Sequence, residues 1–178
     1  DKSNDKGVKS DMKKWMTLIL SLSAVLALTA CGGSGGKTET KDVDLTEVYA
    51  SMEEVCDWWT DGYMEDISEE MLDLYYPGLS ELETEQLIAR MPLMSGVVNE
   101  VVLVKCASSE DADKAQEILQ GRIDYQVGDE TNPGGAWYPE SIEQWEKTTV
   151  QRQGNCVALL AVADTQSQLE DIFNQAFE

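Results

Sequence analysis

The chain has 178 residues, of which 34 are Asp or Glu and 13 are Lys or Arg, so its net charge is −21. This charge repels phosphate backbones and anionic lipid surfaces, and we therefore expect no nucleic-acid partner. Histidine is absent from the whole sequence. Ser-His-Asp and Cys-His catalysis, His-ligated zinc and a histidine pH switch are therefore excluded.

The segment from Met12 to Cys31 has the pattern of an export signal. Lys13 and Lys14 precede an apolar run that is too short to span a bilayer. The run ends in Leu28-Thr29-Ala30-Cys31, which resembles the lipobox of bacterial lipoproteins. The resemblance implies cleavage between Ala30 and Cys31 and a diacylglyceryl anchor on Cys31, which two acyl chains make stable. We therefore expect the protein on the extracytoplasmic face of the cell membrane.

The composition divides the chain into four parts. Residues 1–11 are polar and patternless, and we interpret them as an upstream extension outside the native protein. Residues 12–30 form the signal peptide, and residues 31–43, rich in Gly, Ser and polar side chains, predict a flexible tether. Residues 44–178 are long enough for a single domain with its own core.

The first half of this domain predicts helices. Asp44-Leu45-Thr46-Glu47 resembles a capping box, and apolar residues at helical spacing continue to about Trp59. A second helix is predicted from Ser68 to the stop at Pro77-Gly78. A third, short helix is predicted within 79–90, before Pro92.

The second half predicts three strands, at about 97–106, 148–153 and 156–163, with Gly154-Asn155 as a tight hairpin turn between the last two. Further helices are predicted after Ser108, from Pro139 to Lys147 and after Asp164. The order α-α-(α)-β-α-α-β-β-α predicts an α+β fold in which helices pack on a three-stranded mixed sheet. The helical crossover favours the same direction for the first two strands, and the first and third run antiparallel if they are neighbours.

Three cysteines remain once Cys31 carries the lipid, and they form no CxxC pair. We interpret Cys56, Cys106 and Cys156 as small apolar residues on buried faces. A disulfide is the alternative. Because Cys106 ends one predicted strand and Cys156 begins another, these two form the candidate pair.

The segment 128–138 predicts a loop that ends in Trp137-Tyr138. These two rings either contact a partner or a glycan, or pack over the edge of the sheet. The overlapping stretch Asp129–Glu140 has the length of a calcium-binding loop, but Thr131 and Pro133 lack the carboxylate or amide oxygens that such a loop needs at those positions. Acidic clusters elsewhere fit solvated helix faces. We therefore expect neither a metal ion nor a cofactor, and the sequence indicates no catalytic residue.

The region from Met64 onward resembles a family of Gram-positive bacterial lipoproteins that is defined only by a domain of unknown function, DUF4358. The resemblance rests on short motifs: Ile67–Leu72, Tyr76, Gly78, Met91–Met94, Asn99-Glu100 and Tyr138-Pro139. It implies the same fold and the same location at the membrane, and it implies no catalytic residue.

These observations predict a lipid-anchored, non-enzymatic interaction or accessory domain with a protein partner at the cell surface. One alternative is a lipoprotein that binds a small ligand or a metal ion. The other is a cell-wall hydrolase, which needs two carboxylates roughly 5–9.5 Å apart in a cleft.

Overall fold

A five-stranded antiparallel sheet forms the centre of the computed structural model, which describes residues 41–59, 63–94 and 96–178. Its strands lie in the order β1-β2-β3-β5-β4, so β3 and β5 are shielded by strands on both sides. All four neighbouring pairs are antiparallel. The strands are β1 (Met64–Asp66), β2 (Thr84–Pro92), β3 (Asn99–Cys106), β4 (Val150–Gln153) and β5 (Cys156–Val162).

Within the described residues, five α-helices pack on the sheet, and polar side chains begin three of them. Asp44, Ser68 and Ser108 each accept a hydrogen bond from a backbone N–H in the first turn of the helix that follows. Pro139 occupies the first turn of another helix, where a missing N–H costs nothing. The helices are α1 (Leu45–Val55), α2 (Glu69–Tyr75), α3 (Ser109–Val127), α4 (Pro139–Lys147) and α5 (Gln166–Gln175).

The two faces of the sheet carry separate cores. Alternate residues of β3 and β5, such as Val101 and Leu160, pack with α1 and α5 on one face. The residues between them, such as Val102 and Leu159, pack with α3 and with Trp145 of α4 on the other face. Both central strands are therefore buried on both sides, which explains their almost continuous apolar sequences.

The prediction of a three-stranded mixed sheet is wrong, although the α+β class is right. The predicted helix within 79–90 is instead β2, paired with β3 over most of its length, and β1 was not predicted at all. Leu82, Leu87 and Ile88 were assigned to that helix as its apolar residues, but Leu87 and Ile88 pack into different cores. Antiparallel pairing with β1 and β3 outweighed the local pattern.

The predicted hairpin at Gly154-Asn155 is confirmed. Gly154 has a φ of 59°, a left-handed conformation that glycine adopts without strain, and it joins β4 to β5. β3 and β5 are antiparallel neighbours, and β4 runs in the same direction as β3 with β5 between them. Among the described residues, no helix is long and apolar enough to cross a membrane.

Candidate functional site

A buried ion pair joins the start of β3, the central strand, to α3, the longest helix that the structure describes. Arg122 of α3 donates hydrogen bonds from Nε and Nη2 to the two carboxylate oxygens of Glu100 on β3, both at 2.9 Å. The hydroxyl of Tyr76, which follows α2, donates to the same carboxylate. A bidentate guanidinium–carboxylate pair fixes both distance and orientation. Three separate elements are thereby held at one point.

Aromatic rings surround the guanidinium of Arg122. Its central carbon lies 4.3 Å from the ring centroid of Tyr75, 5.7 Å from that of Trp145 and 5.9 Å from that of Tyr76. Burial alone would lower the pKa of Arg122, but the hydrogen bonds and charge of Glu100 outweigh it and raise that pKa. Burial, followed by the nearby charge of Glu100, raises the pKa of the Tyr76 hydroxyl well above its usual range. Arg122 therefore stays charged and Tyr76 neutral.

This ion pair lies at the base of a cleft of about 620 Å³, which we call the aromatic cleft. Five aromatic side chains line it: Tyr75, Tyr125, Trp137, Tyr138 and Trp145. Trp145 is buried, whereas Tyr125, Tyr138 and Trp137 are 66%, 60% and 89% exposed. The predicted contact residues Trp137 and Tyr138 therefore form its rim and do not pack over the sheet edge. Large exposed aromatic surfaces of this kind mark binding sites in otherwise charged proteins.

The loop that presents Trp137 is fastened to the end of α3. Backbone N–H groups of Gly135 and Ala136 donate to the carbonyl oxygens of Tyr125 and Gln126, at 2.9 and 3.1 Å. A Cβ at position 134 would lie 2.2 Å from the Gln126 carbonyl oxygen, so only glycine allows this close approach. The exposed Trp137 ring consequently extends from a fixed backbone, which reduces the entropy lost when a ligand binds.

A second cavity of about 470 Å³ adjoins the cleft, and we call it the apolar groove. Tyr75, Arg122 and Tyr125 line both cavities, so the two form one continuous surface. Position 121 on α3 faces open space in the groove, since a Cβ added to Gly121 would meet no atom within 4 Å. The other lining residues are apolar: Leu74, Pro77 and Ile118.

The side chain of Asn99 is the other unusual polar group near the cleft. Asn99 is 1% exposed, and neither its amide nitrogen nor its amide oxygen has a hydrogen-bond partner in the described structure. Because neighbouring residues of a strand point to opposite faces, Asn99 faces away from Glu100. Asn99 also lines a smaller cavity of about 240 Å³ with Tyr63 and Thr165.

The acidic groups of the cleft bear on the hydrolase alternative. Glu100 is the only carboxylate among the described residues that line it, and Arg122 already holds that carboxylate. A glycosidase-type pair of carboxylates is therefore missing from this part of the molecule. No group of three or more potential metal ligands occurs among the described residues.

The three cysteines that the structure describes, Cys56, Cys106 and Cys156, are free thiols that are buried in the two cores. Burial raises the pKa values of Cys106 and Cys156 to about 11 and also raises that of Cys56, so the nucleophilic thiolate is disfavoured at neutral pH. Cys106 packs into the α3 face and Cys156 into the α1 face. Although their strands are neighbours, this arrangement does not support the predicted Cys106–Cys156 disulfide.

Residues 58–162 match the family model described as "Domain of unknown function (DUF4358)". The chain belongs to this family. The matched span contains the whole set of residues that line the aromatic cleft. No curated protein and no solved structure matches the chain.

The remaining predicted site residues, Ala30 and Cys31, lie outside the residues that the structure describes. Glu100 and Arg122 were not predicted as site residues from the sequence. Both residues interrupt an apolar pattern: Glu100 lies between Val98 and Val102 on one strand face, and Arg122 lies on the buried stripe of α3. Opposite charges within two apolar patterns were a detectable signal, because buried charges in proteins are nearly always paired.

Proposed function

We propose that this protein is a lipid-anchored extracytoplasmic binding domain that engages a protein partner through its aromatic cleft. The supporting observation is Trp137, which is 89% exposed at the rim of a cleft whose loop is held to α3 by hydrogen bonds from Gly135 and Ala136. Trp and Tyr dominate the energetics of protein interfaces because they bury large apolar areas with little loss of conformational freedom.

One feature of the cleft argues against the hydrolase alternative. Its one carboxylate in the described structure is held in an ion pair with Arg122. A small-ligand site remains compatible with the volume of the cleft, which is within the usual range for such sites. The breadth of exposed aromatic surface around it favours a larger partner.

Site-specific photocrosslinking tests the cleft directly. A photoreactive phenylalanine replaces Trp137, and the same residue replaces Glu54, which is exposed on α1, as the matched control. We expect a reproducible crosslinked protein from position 137 and none from position 54. Equal labelling at both positions, or none at either, would overturn the proposed role of the cleft.

The lipid anchor is proposed from Leu28-Thr29-Ala30-Cys31 and is tested separately. A Cys31→Ala variant should leave the membrane fraction or accumulate unprocessed, whereas a Ser34→Ala variant should behave like the parent protein. If Cys31→Ala were processed and fractionated with membranes as the parent does, the anchor would be wrong.

A further inference from the structure

The charge distribution around the binding surface identifies the class of partner. Residues 41–178 contain seven Lys or Arg against thirty Asp or Glu. Six of the seven form ion pairs with neighbouring carboxylates within the described structure: Arg90, Lys105, Lys114, Arg122, Lys147 and Arg152. Little positive charge is therefore left to neutralise the other acidic side chains.

Three carboxylates, which we call the acidic border, lie within one helical turn along the chain of residues that line the apolar groove. Asp73 precedes Leu74, Asp124 precedes Tyr125, and Glu117 lies one helical turn before Gly121. All three are exposed, and none belongs to an ion pair in the described part of the chain. The surface consequently combines an apolar centre, in which Leu74 and Tyr125 are each 66% exposed, with an acidic border.

We propose that the apolar groove and the aromatic cleft together bind an amphipathic basic helix of a partner protein. This inference rests on the proposed function and specifies its partner. Apolar side chains at helical spacing fill the groove beside Gly121 and contact Trp137, while Lys and Arg at the edges of that face meet the acidic border. Anionic lipids and nucleic acids have the same sign of charge as the border and are disfavoured.

Binding is tested with the full chain carrying Cys31→Ala and a synthetic helical peptide with Leu on one face and Lys on the other. We expect saturable binding that weakens by about tenfold when ionic strength rises from roughly 0.05 to 0.5 M, because screening shortens the range of charge attraction. A peptide with Glu in place of each Lys should not bind. A neutral chitin tetrasaccharide, which probes the glycan alternative, should not bind either.

Two matched variants locate the site. Gly121→Trp fills the groove without meeting other atoms at its Cβ, and we expect it to weaken peptide binding by about tenfold or more. Ser51→Trp, exposed on α1, adds the same side chain at the same net charge and should leave binding unchanged. Circular dichroism verifies that both variants fold.

Equal affinity of the two variants would show non-specific attraction to an acidic protein and overturn the inference. Binding of the tetrasaccharide, or of the Glu peptide, would overturn it as well. If position 137 crosslinks a protein in cells while the Lys peptide fails to bind, the partner class is wrong and the proposed function stands. If position 137 crosslinks nothing, the proposed function itself fails.

Discussion

Arg122 and Glu100 form a bidentate ion pair in which both side chains are more than nine-tenths buried. Removing two charges from water is costly, and the cost is recovered only if each charge keeps its partner and its hydrogen bonds. Here the hydroxyl of Tyr76 satisfies a further lone pair of the carboxylate. The pair thus fixes the geometry of the cleft more than it increases overall stability.

Loss of one partner should therefore be far more damaging than loss of both. Arg122→Met leaves the Glu100 carboxylate buried without a countercharge, and we expect it to lower the free energy of unfolding by about 3–5 kcal/mol. The double variant Glu100→Leu with Arg122→Met should recover most of this loss, with about 1 kcal/mol remaining for the unpaired Tyr76 hydroxyl. Urea denaturation provides the measurement.

An exposed ion pair provides the control for this comparison. Lys147 and Glu143 lie 2.7 Å apart on α4 and are both well exposed. Lys147→Ala should change the free energy of unfolding by less than about 0.5 kcal/mol. A similar cost for Arg122→Met and Lys147→Ala would contradict the structural role assigned to the buried pair.

Glycine at position 121 should give a lower free energy of unfolding than alanine at the same position. Gly121→Ala places a methyl group in open space on an exposed helical turn, and we expect a gain of about 0.5–1 kcal/mol in the free energy of unfolding. Gly134→Ala should destabilise the protein, because its Cβ would lie 2.2 Å from a backbone oxygen. Thermal melting of the two variants checks the prediction. A loss of stability from Gly121→Ala would mean that the groove is already filled.

Stability should fall under alkaline conditions. Burial raises the pKa of Tyr49 to about 12 and those of Cys106 and Cys156 to about 11. The folded protein therefore keeps protons that the unfolded chain releases above about pH 9. The resulting stability is complete below that pH and is lost as the pH rises towards 12. Denaturant midpoints measured across this range give the test.

Tyr49→Phe is the matched variant for the alkaline loss. The hydroxyl of Tyr49 has no hydrogen-bond partner in the described structure, so its removal breaks no bond. The variant should match the parent protein at neutral pH and lose less stability at high pH. Identical alkaline curves for the two proteins would exclude Tyr49 as a contributor.

All three buried cysteines should titrate as free thiols. In the full chain carrying Cys31→Ala, we expect slow reaction with a thiol reagent in the native state and three reactive thiols after denaturation without reductant. Treatment with reductant should leave that number unchanged. One reactive thiol before reduction and three afterwards would show that two of these cysteines form a disulfide.

The sequence predicted the elements whose signals are local. β3 and β5 are buried on both faces and appear as apolar runs, and α3 begins at the cap formed by Ser108. β2 is partly exposed along its length and carries neither a continuous nor an alternating apolar pattern. Its conformation depends on pairing with β3, which a local pattern cannot reveal.

The candidate site was predicted only at its rim. Trp137 and Tyr138 were identified because aromatic residues beside glycines stand out in a polar loop. The base of the cleft depends on the contact between Glu100 and Arg122, which are 22 positions apart and belong to different elements. Only the packing of α3 on β3 brings these two charges together.

The ion pair between Lys105 and Asp42 marks the point at which the chain enters the domain. The position of that point limits the distance between the cleft and the proposed membrane anchor. Lys105 lies near the end of β3 and Glu100 near its start, so the chain enters the domain about 17 Å from the base of the cleft. With the lipid proposed at Cys31, the stretch up to Asp42 adds at most about 40 Å. With that proposed anchor, the cleft can meet only partners that lie within the sum of these two lengths from the bilayer, in any orientation that the predicted flexible tether allows.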